Sequence, residues 1–315
     1  MNGCSKRIGS PEPRCIGARS VICPTLKVIP AVPQACRIRS VAVIVSTINV
    51  NGIRAAIKQR SPENLGLLPW LDATTADVVC LQETRADDEQ LAAALAPALS
   101  DGWHLASAAG DVKGRNGVAV LSRHPIQSVR GLGDVGAPPA LLGGEFTLHG
   151  RYVEVDIDGL TVASVYVQTG EAGTDRQLEK ERFMAALAHR MSMLTDRDAV
   201  VCGDWNVAHT EYDIKNWRGN VQKSGFLPAE RQWLTDLLSS GWVDVVRVLH
   251  PDVAGPYSWW SWRGRAFDND AGWRIDYQLA TRGLAARVSA ARVERAAAYA
   301  LRWSDHAPVT VEYRG

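Results

Sequence analysis

The sequence predicts an α+β fold: two packed, mostly antiparallel β-sheets with helices on the outside. Three observations carry this. Short runs rich in Val, Ile and Thr recur from residue 41 to the C-terminus, at lengths that suit strands. Helical stretches lie between them, but without the steady strand–helix alternation that a parallel sheet demands. Several of the apolar runs also end in acids or amides, as strands do where their ends meet at one rim.

Residues 1–38 lack periodicity and are broken up by Pro, Gly, Ser and Arg, so they read as a flexible N-terminal extension. VICPTLKVIP is too interrupted for a secretory apolar core, although the Arg-rich, acid-poor composition loosely resembles a transit peptide. Residues 39–315 read as one folded domain. RSVAVIVSTINVNG opens it with a strand. TADVVCLQE (75–83) is a strand after a helix carrying LGLLPWL, DEQLAAALAPAL suits a helix, and NGVAVLS (116–122) a strand. RYVEVDI and LTVASVYV alternate as a hairpin around Asp158-Gly159. In 175–194, Leu178, Phe183, Leu187, Met191 and Leu194 form a helical stripe. Arg176, Lys180 and Arg182 are within reach of phosphates, but exposed Lys and Arg on a helix need no special cause, so they read first as a solvated face. Strands at 198–206, 274–280 and 307–313 and a helix at 228–241 complete the chain. ADVVCLQE and DAVVCGDWN parallel one another, a faint sign of internal duplication.

The chain of 315 residues is 46% hydrophobic and 22% charged, ordinary for a globular protein. No run approaches the roughly 18 apolar residues that span a bilayer. The net charge of +1 divides unevenly, with seven Lys/Arg and one acid in residues 1–40 and 28 bases and 33 acids thereafter. An acidic body argues against a broad polyanion-coating surface but leaves room for a local basic groove. Cys4, Cys15, Cys23 and Cys36 show no CxxC pairing, and Cys80 and Cys202 sit in apolar runs. They suggest neither a zinc site nor a disulfide framework, and they suit a reducing compartment.

The polar strand ends are Asn49 and Asn51, Gln82 and Glu83, Asp204 and Asn206, Asp276, then Asp305 and His306. Any one alone could be a cap or turn residue. Together they form an inventory. GxSxG, GxGxxG and GxxxxGK[ST] are all absent, which argues against a nucleophile elbow and against nucleotide cofactors. Carboxylates with Asn and no Cys make a hard oxygen site, suited to Mg²⁺ or Mn²⁺. A divalent ion, an Asp to orient water and a His beside phosphate suit phosphodiester hydrolysis.

The phrases TINVNGIRAAIKQ, ADVVCLQET, NGVAVLSR, VYVQTGE, VVCGDWNVAHTEYDIKN, SGFLPAERQWL, GWRIDY and SDHAPVTVEY occur in an order, and cover nearly all of 41–315, in a way that resembles the exonuclease III/apurinic-apyrimidinic endonuclease family. The resemblance implies a four-layer α/β sandwich and a Mg²⁺- or Mn²⁺-dependent DNA repair nuclease. Such an enzyme incises duplex DNA 5′ to abasic sites and acts on 3′ ends, as a monomer in the cytoplasm, associated with the nucleoid while acting. It implies Glu83 as principal metal ligand, supported by Asn49, with Asp305 near the metal. Asp204 would orient or deprotonate water, Asn206 and His306 contact the phosphate, Asp276 orient His306, and Tyr166 lie near phosphate and leaving group. Asn51 stands where other members carry Asp or Asn, so a second metal position has one charge fewer than it could. Trp205 should point away from the site, on strand alternation. Alternatives are a relative acting on RNA, phospholipid or inositol phosphate, or a non-catalytic DNA-binding protein.

The stretch 257–277, YSWWSWRGRAFDNDAGWRIDY, holds four of the eleven tryptophans. Alternation puts Trp260 and Trp262 on one face and Trp259 on the other. The resemblance makes Trp259, Trp273 and Ile275 the lining of a pocket for a base-less sugar, with Trp260 or Trp262 packing into the sandwich.

Overall fold

The computed structural model describes Met1 and residues 42–135 and 150–315, so the extension expected over 1–38, Met1 apart, lies outside the described residues. Strands β1 (Val43–Asn49), β2 (Val78–Gln82), β3 (His104–Ala108), β4 (Val118–Ser122), β11 (Val288–Val293) and β12 (Val309–Tyr313) form one sheet, ordered β11-β12-β1-β2-β4-β3. Strands β5 (Ser128–Arg130), β6 (Tyr152–Ile157), β7 (Leu160–Tyr166), β8 (Ala199–Asp204), β9 (Trp242–Asp244) and β10 (Asp276–Thr281) form the other, ordered β5-β6-β7-β8-β10-β9. Each sheet has one parallel pair at its centre, β1 with β2 and β7 with β8, and antiparallel neighbours elsewhere. The two sheets thus repeat one pattern, with β2 and β8 in equivalent places. That is the topological counterpart of the parallel phrases ADVVCLQE and DAVVCGDWN.

The apolar faces explain the layering. Val45, Val78, Cys80, Val120, Val155, Val162, Val200, Cys202 and Val311 pack between the sheets. Helices α1 (Ile53–Ala56), α2 (Leu67–Ala73), α3 (Asp88–Ala94) and α4 (Ala96–Ser100) cover the outer face of the first sheet through Ile53, Leu67, Leu71 and Leu91. Helices α5 (Asp175–Ser192) and α6 (Pro228–Ser239) cover the second through Phe183, Leu187, Met191 and Leu234. Two short helices, α7 (Val245–Leu249) and α8 (Arg282–Ala285), add Val245, Val246 and Leu284 to the core between the sheets. The result is the expected four-layer sandwich.

Details differ from the sequence reading. DEQLAAALAPAL forms two helices, α3 and α4, because Pro97 removes a backbone donor and takes the first turn of a new helix. The stripe on α5 is rotated at its start. Leu178 is exposed, while Gln177 and Lys180 are buried with Phe183, Met184 and Leu187. Lys180 is therefore not on a solvated face. The hairpin turn falls at Asp158 and Gly159, both with positive φ, as a two-residue loop requires. Gly203 is needed in β8, since a Cβ there would lie 1.9 Å from the Val165 carbonyl oxygen.

The rotated stripe predicts unequal costs along α5. Phe183→Ala should destabilise by about 3–5 kcal/mol by leaving a cavity between helix and sheet, whereas Leu178→Ala should change stability by less than about 0.5 kcal/mol. Urea midpoints at constant slope distinguish the two. Equal losses would contradict the register of α5.

Candidate active site

The site lies where both sheets end. In register, Tyr166 of β7, Asp204 of β8 and Asp276 of β10 stand side by side, and Asn49 of β1 stands beside Gln82 of β2. As the chain leaves its strands it enters left-handed backbone at Asn51, Glu83, Arg85 and Asn206 (φ 48°, 50°, 50° and 48°). Asn tolerates this conformation, but at Glu83 and Arg85 it costs on the order of 1–3 kcal/mol each, strain of the kind that functional sites store.

Hydrogen bonds link nearly all of the expected residues. Asn49 Nδ2 donates to Glu83 Oε1 and to Asp204 Oδ2, both at 2.9 Å. Asn206 donates its backbone N–H to Asp204 Oδ1 (3.0 Å) and its Nδ2 to Asp204 Oδ2 (3.0 Å) and to the Val167 carbonyl (2.9 Å). His306 Nδ1 lies 2.8 Å from Asp276 Oδ2, and its Nε2 lies 3.8 Å from Asp204 Oδ2. Asn51 Nδ2 and Trp259 Nε1 donate to the two oxygens of Asp305, at 2.8 and 3.1 Å. Trp259 meets Trp273 edge-on at 6.2 Å and faces His306 at 6.5 Å. Ile275 packs with Ile214 and Phe226 beneath these rings. Behind them the buried Arg274 reaches Asp213 and Asp244, each at 2.7 Å, and anchors the segment that carries Trp273 and Ile275. Tyr166 stands next to Asp204 with no direct bond to it.

Burial sets the protonation states. It pushes the Asp204 carboxyl up, His306 and the Asn49 hydrogen bond pull it down, Asp276 and Glu83 push it up, and the balance lies at about 7. Burial pulls His306 down, but Asp276 and Asp204 outweigh it and raise the imidazole to about 10, so it is a cation at neutral pH. Burial first, then Glu83 and Asp204, raise the Tyr166 hydroxyl well above its ordinary value, so it keeps its proton and can donate.

Among the described residues no three His, Cys, Asp or Glu side chains form a ready metal cage. The donors still fit a hard divalent cation. Mg²⁺ typically takes one or two carboxylates and keeps several waters. Here the donors are all oxygens, from Glu83, Asn49 and Asp305, and Asn49 ties Glu83 to the buried Asp204.

Sequence reasoning missed several contributors. Arg85 donates Nε to Glu83 Oε2 at 2.9 Å, and its Nη2 reaches the same oxygen. Ser304 Oγ donates to the Asn49 carbonyl (2.6 Å) and accepts the His306 N–H (3.2 Å), an ST-turn legible in Ser304-Asp305-His306. Ser258 Oγ accepts the N–H groups of Ile275 and Asp276. Thr169 Oγ1 donates to Asn206 Oδ1 at 3.3 Å, and no pattern in the sequence pointed to it. Trp205, as expected, turns away into the core against Trp233 and Tyr277. Trp260 is buried against Phe267, whereas Trp262 is half in solvent, under Arg302 at 4.1 Å.

A model of the Endonuclease/Exonuclease/phosphatase family matches residues 46–306. An exodeoxyribonuclease of Bacillus subtilis (strain 168) is 33% identical over 265 residues, 83% of this chain and 95% of that protein. The 3′ phosphatase NExo from Neisseria, solved with a product DNA hairpin, superposes with a TM-score of 0.75 at 31% identity, over 87% of this chain and all of that one. An AP endonuclease from Archaeoglobus fulgidus gives 0.73 at 27% identity, over 86% of this chain and 99% of that one. Fold, site and relatives together define a phosphodiester hydrolase. The chain belongs to the Endonuclease/Exonuclease/phosphatase family.

The His306–Asp276 pair has a testable pH signature. His306 gains its partner on folding, so its folded value lies above the unfolded 6.5. The stabilisation is whole below pH 6.5 and is lost as pH rises through about 10. The stability gap between wild type and Asp276→Asn in metal-free protein should therefore be widest near pH 6 and close toward pH 10. A gap that stays constant over that range would contradict the pairing.

Proposed function

We propose that this chain is a divalent-cation-dependent DNA repair nuclease. It hydrolyses the phosphodiester 5′ to abasic sites in double-stranded DNA, leaving a 3′-hydroxyl, and also works at 3′ ends as a 3′→5′ exonuclease or 3′-phosphodiesterase. One observation carries the reading: the Trp259 ring, edge-on to Trp273, lies 6.5 Å from His306, whose imidazole pairs with Asp276 and stands 3.8 Å from Asp204, so an aromatic pair adjoins a buried acid and a cationic imidazole.

Roles follow from position. Glu83 with Asn49, and Asp305, would hold Mg²⁺ or Mn²⁺, which when bound neutralises phosphate charge and polarises it toward attack. Asp204 sits at a pKa of about 7, the range in which a carboxylate takes up and releases a proton at neutral pH. It orients the attacking water and receives its proton. His306, kept cationic by Asp276, faces the phosphate through Nε2 and meets the charge that develops there, and Asn206 would join it by turning its amide from Val167 or Asp204. Tyr166 keeps its proton and donates toward phosphate and leaving group. Asn51 holds Asp305 in place.

Trp259, Trp273 and Ile275 would select the substrate. A nucleotide without a base loses neither pair nor stack when it leaves the duplex, so flipping it is cheap, and a tight apolar recess excludes an intact nucleotide. The Neisseria relative with its DNA hairpin and the Archaeoglobus AP endonuclease support DNA as substrate. Among the described residues no helix is long and apolar enough to cross a membrane.

The test is incision of a duplex carrying a tetrahydrofuran abasic analogue. Cleavage should require Mg²⁺ and stop with EDTA. Asp204→Asn and His306→Ala should each lower kcat by about 10²–10⁴ with circular dichroism unchanged. Trp273→Ala should impair abasic incision more than trimming of single-stranded ends. Wild-type protein that binds the duplex without cutting it would sink the reading.

A further inference from the structure

The buried pair Lys180–Glu230 lies outside the catalytic inventory yet touches it. Both side chains are fully buried, with Lys180 Nζ 2.6 Å from Glu230 Oε1. The ammonium also donates to the backbone carbonyl of Asn206 at 2.8 Å and to Ser224 Oγ at 3.4 Å, so its three N–H bonds are all engaged. Glu230 accepts the N–H groups of Gly225 (2.6 Å) and Leu227 (3.1 Å), along with Gln177 Nε2 and Ser224 Oγ. Gly225 in turn forms a wall of the aromatic recess. A Cβ there would stand 3.1 Å from the Trp273 ring and 3.1 Å from the Asn206 carbonyl oxygen, and its own carbonyl accepts the Ala208 N–H at 2.7 Å.

We propose that Lys180 and Glu230 are a positioning pair that fixes the Asn206 peptide and the Gly225–Trp273 wall together, setting where the phosphate-facing amide stands relative to the recess. This rests on the nuclease reading above. Stability alone does not account for the pair. A buried ion pair costs so much desolvation that well-packed apolar residues of like volume are commonly as stable or more so. What apolar residues could not supply is direction. Asn206 holds a left-handed backbone, and its side chain reaches Asp204, Val167 and Thr169. Its carbonyl is the remaining handle, and the ammonium grips it. Neither side chain reaches the recess itself, so the pair acts through Asn206 and Gly225.

The test is the double variant Lys180→Met, Glu230→Gln, which removes both charges at nearly constant volume and so avoids an unpaired buried ion. Its kcat on the tetrahydrofuran duplex should fall at least about tenfold while KM stays within about twofold, the mark of a misplaced group rather than lost binding. In an Asn206→Ala background the same two changes should lower kcat by less than they do in wild type, the remainder acting through Gly225. Hydrogen exchange at the Gly225 and Ala208 amides should quicken, with the strand amides of β7 and β8 unaltered. If the double variant does not fold, Glu230→Gln alone carries the same tests. A folded variant with wild-type kcat, or an effect that multiplies in full on Asn206→Ala, would overturn the proposal. Inactive wild-type protein would instead count against the nuclease reading, and the exchange measurement would still decide whether the pair orders the Gly225 wall.

Discussion

The Asn49 amide nitrogen holds together two carboxylates that come from different sheets. One of its N–H bonds points to Glu83, at the end of β2, and the other to Asp204, at the end of β8. Two unit charges roughly 4 Å apart near a protein surface repel by about 4 kcal/mol. Two hydrogen bonds to charged acceptors contribute about 1.5–3 kcal/mol each, the same order. Repulsion and bridging nearly cancel. The acids can therefore stand together in the folded chain while leaving an excess of negative charge for a cation to neutralise.

The rest of the structure serves this junction. The sheets share a strand order with a parallel pair at each centre, so β2 and β8 bring their acidic ends to the same rim. Gly203 lets β8 approach β7 closely just before Asp204, and left-handed backbone at Glu83 and Asn206 turns the chain as it leaves β2 and β8. Arg85 shields Glu83 from outside, while Asp276 charges His306 from within. Trp259 belongs to two systems at once: its ring faces Trp273 and His306, and its indole N–H holds Asp305. Substrate selection and chemistry thus share a side chain.

Much of this was legible because it is local. Strand ends in polar residues mark the rim, the Asp158-Gly159 turn fixes a hairpin, and parity along YSWWSW separates buried Trp260 from Trp259 beside His306, though it wrongly groups the exposed Trp262 with Trp260. What escaped was non-local or compositionally weak. Strands β3 and β11 are rich in Ala and Ser, and β5 and β9 have three residues each, too short for a period. The buried role of Lys180 required knowing that Glu230, fifty positions away, would sit opposite it. A stripe started at Leu178 hid the pair, because its first turn follows a polar contact rather than an apolar one. Arg85 looked like any exposed cation beside an acid until the backbone turned it back onto Glu83.

Burial first, with Asp276 and Glu83 close by, keeps Asp204 partly protonated at neutral pH until a cation arrives. Calorimetric titration of Mg²⁺ into the DNA-free protein at pH 7, in buffers of different ionisation enthalpy, measures this directly. Mg²⁺ binding should release about half a proton, since a group with a pKa near 7 is half protonated there, and Asp204→Asn should abolish the release. Binding with no proton release, or release undiminished in Asp204→Asn, would contradict it.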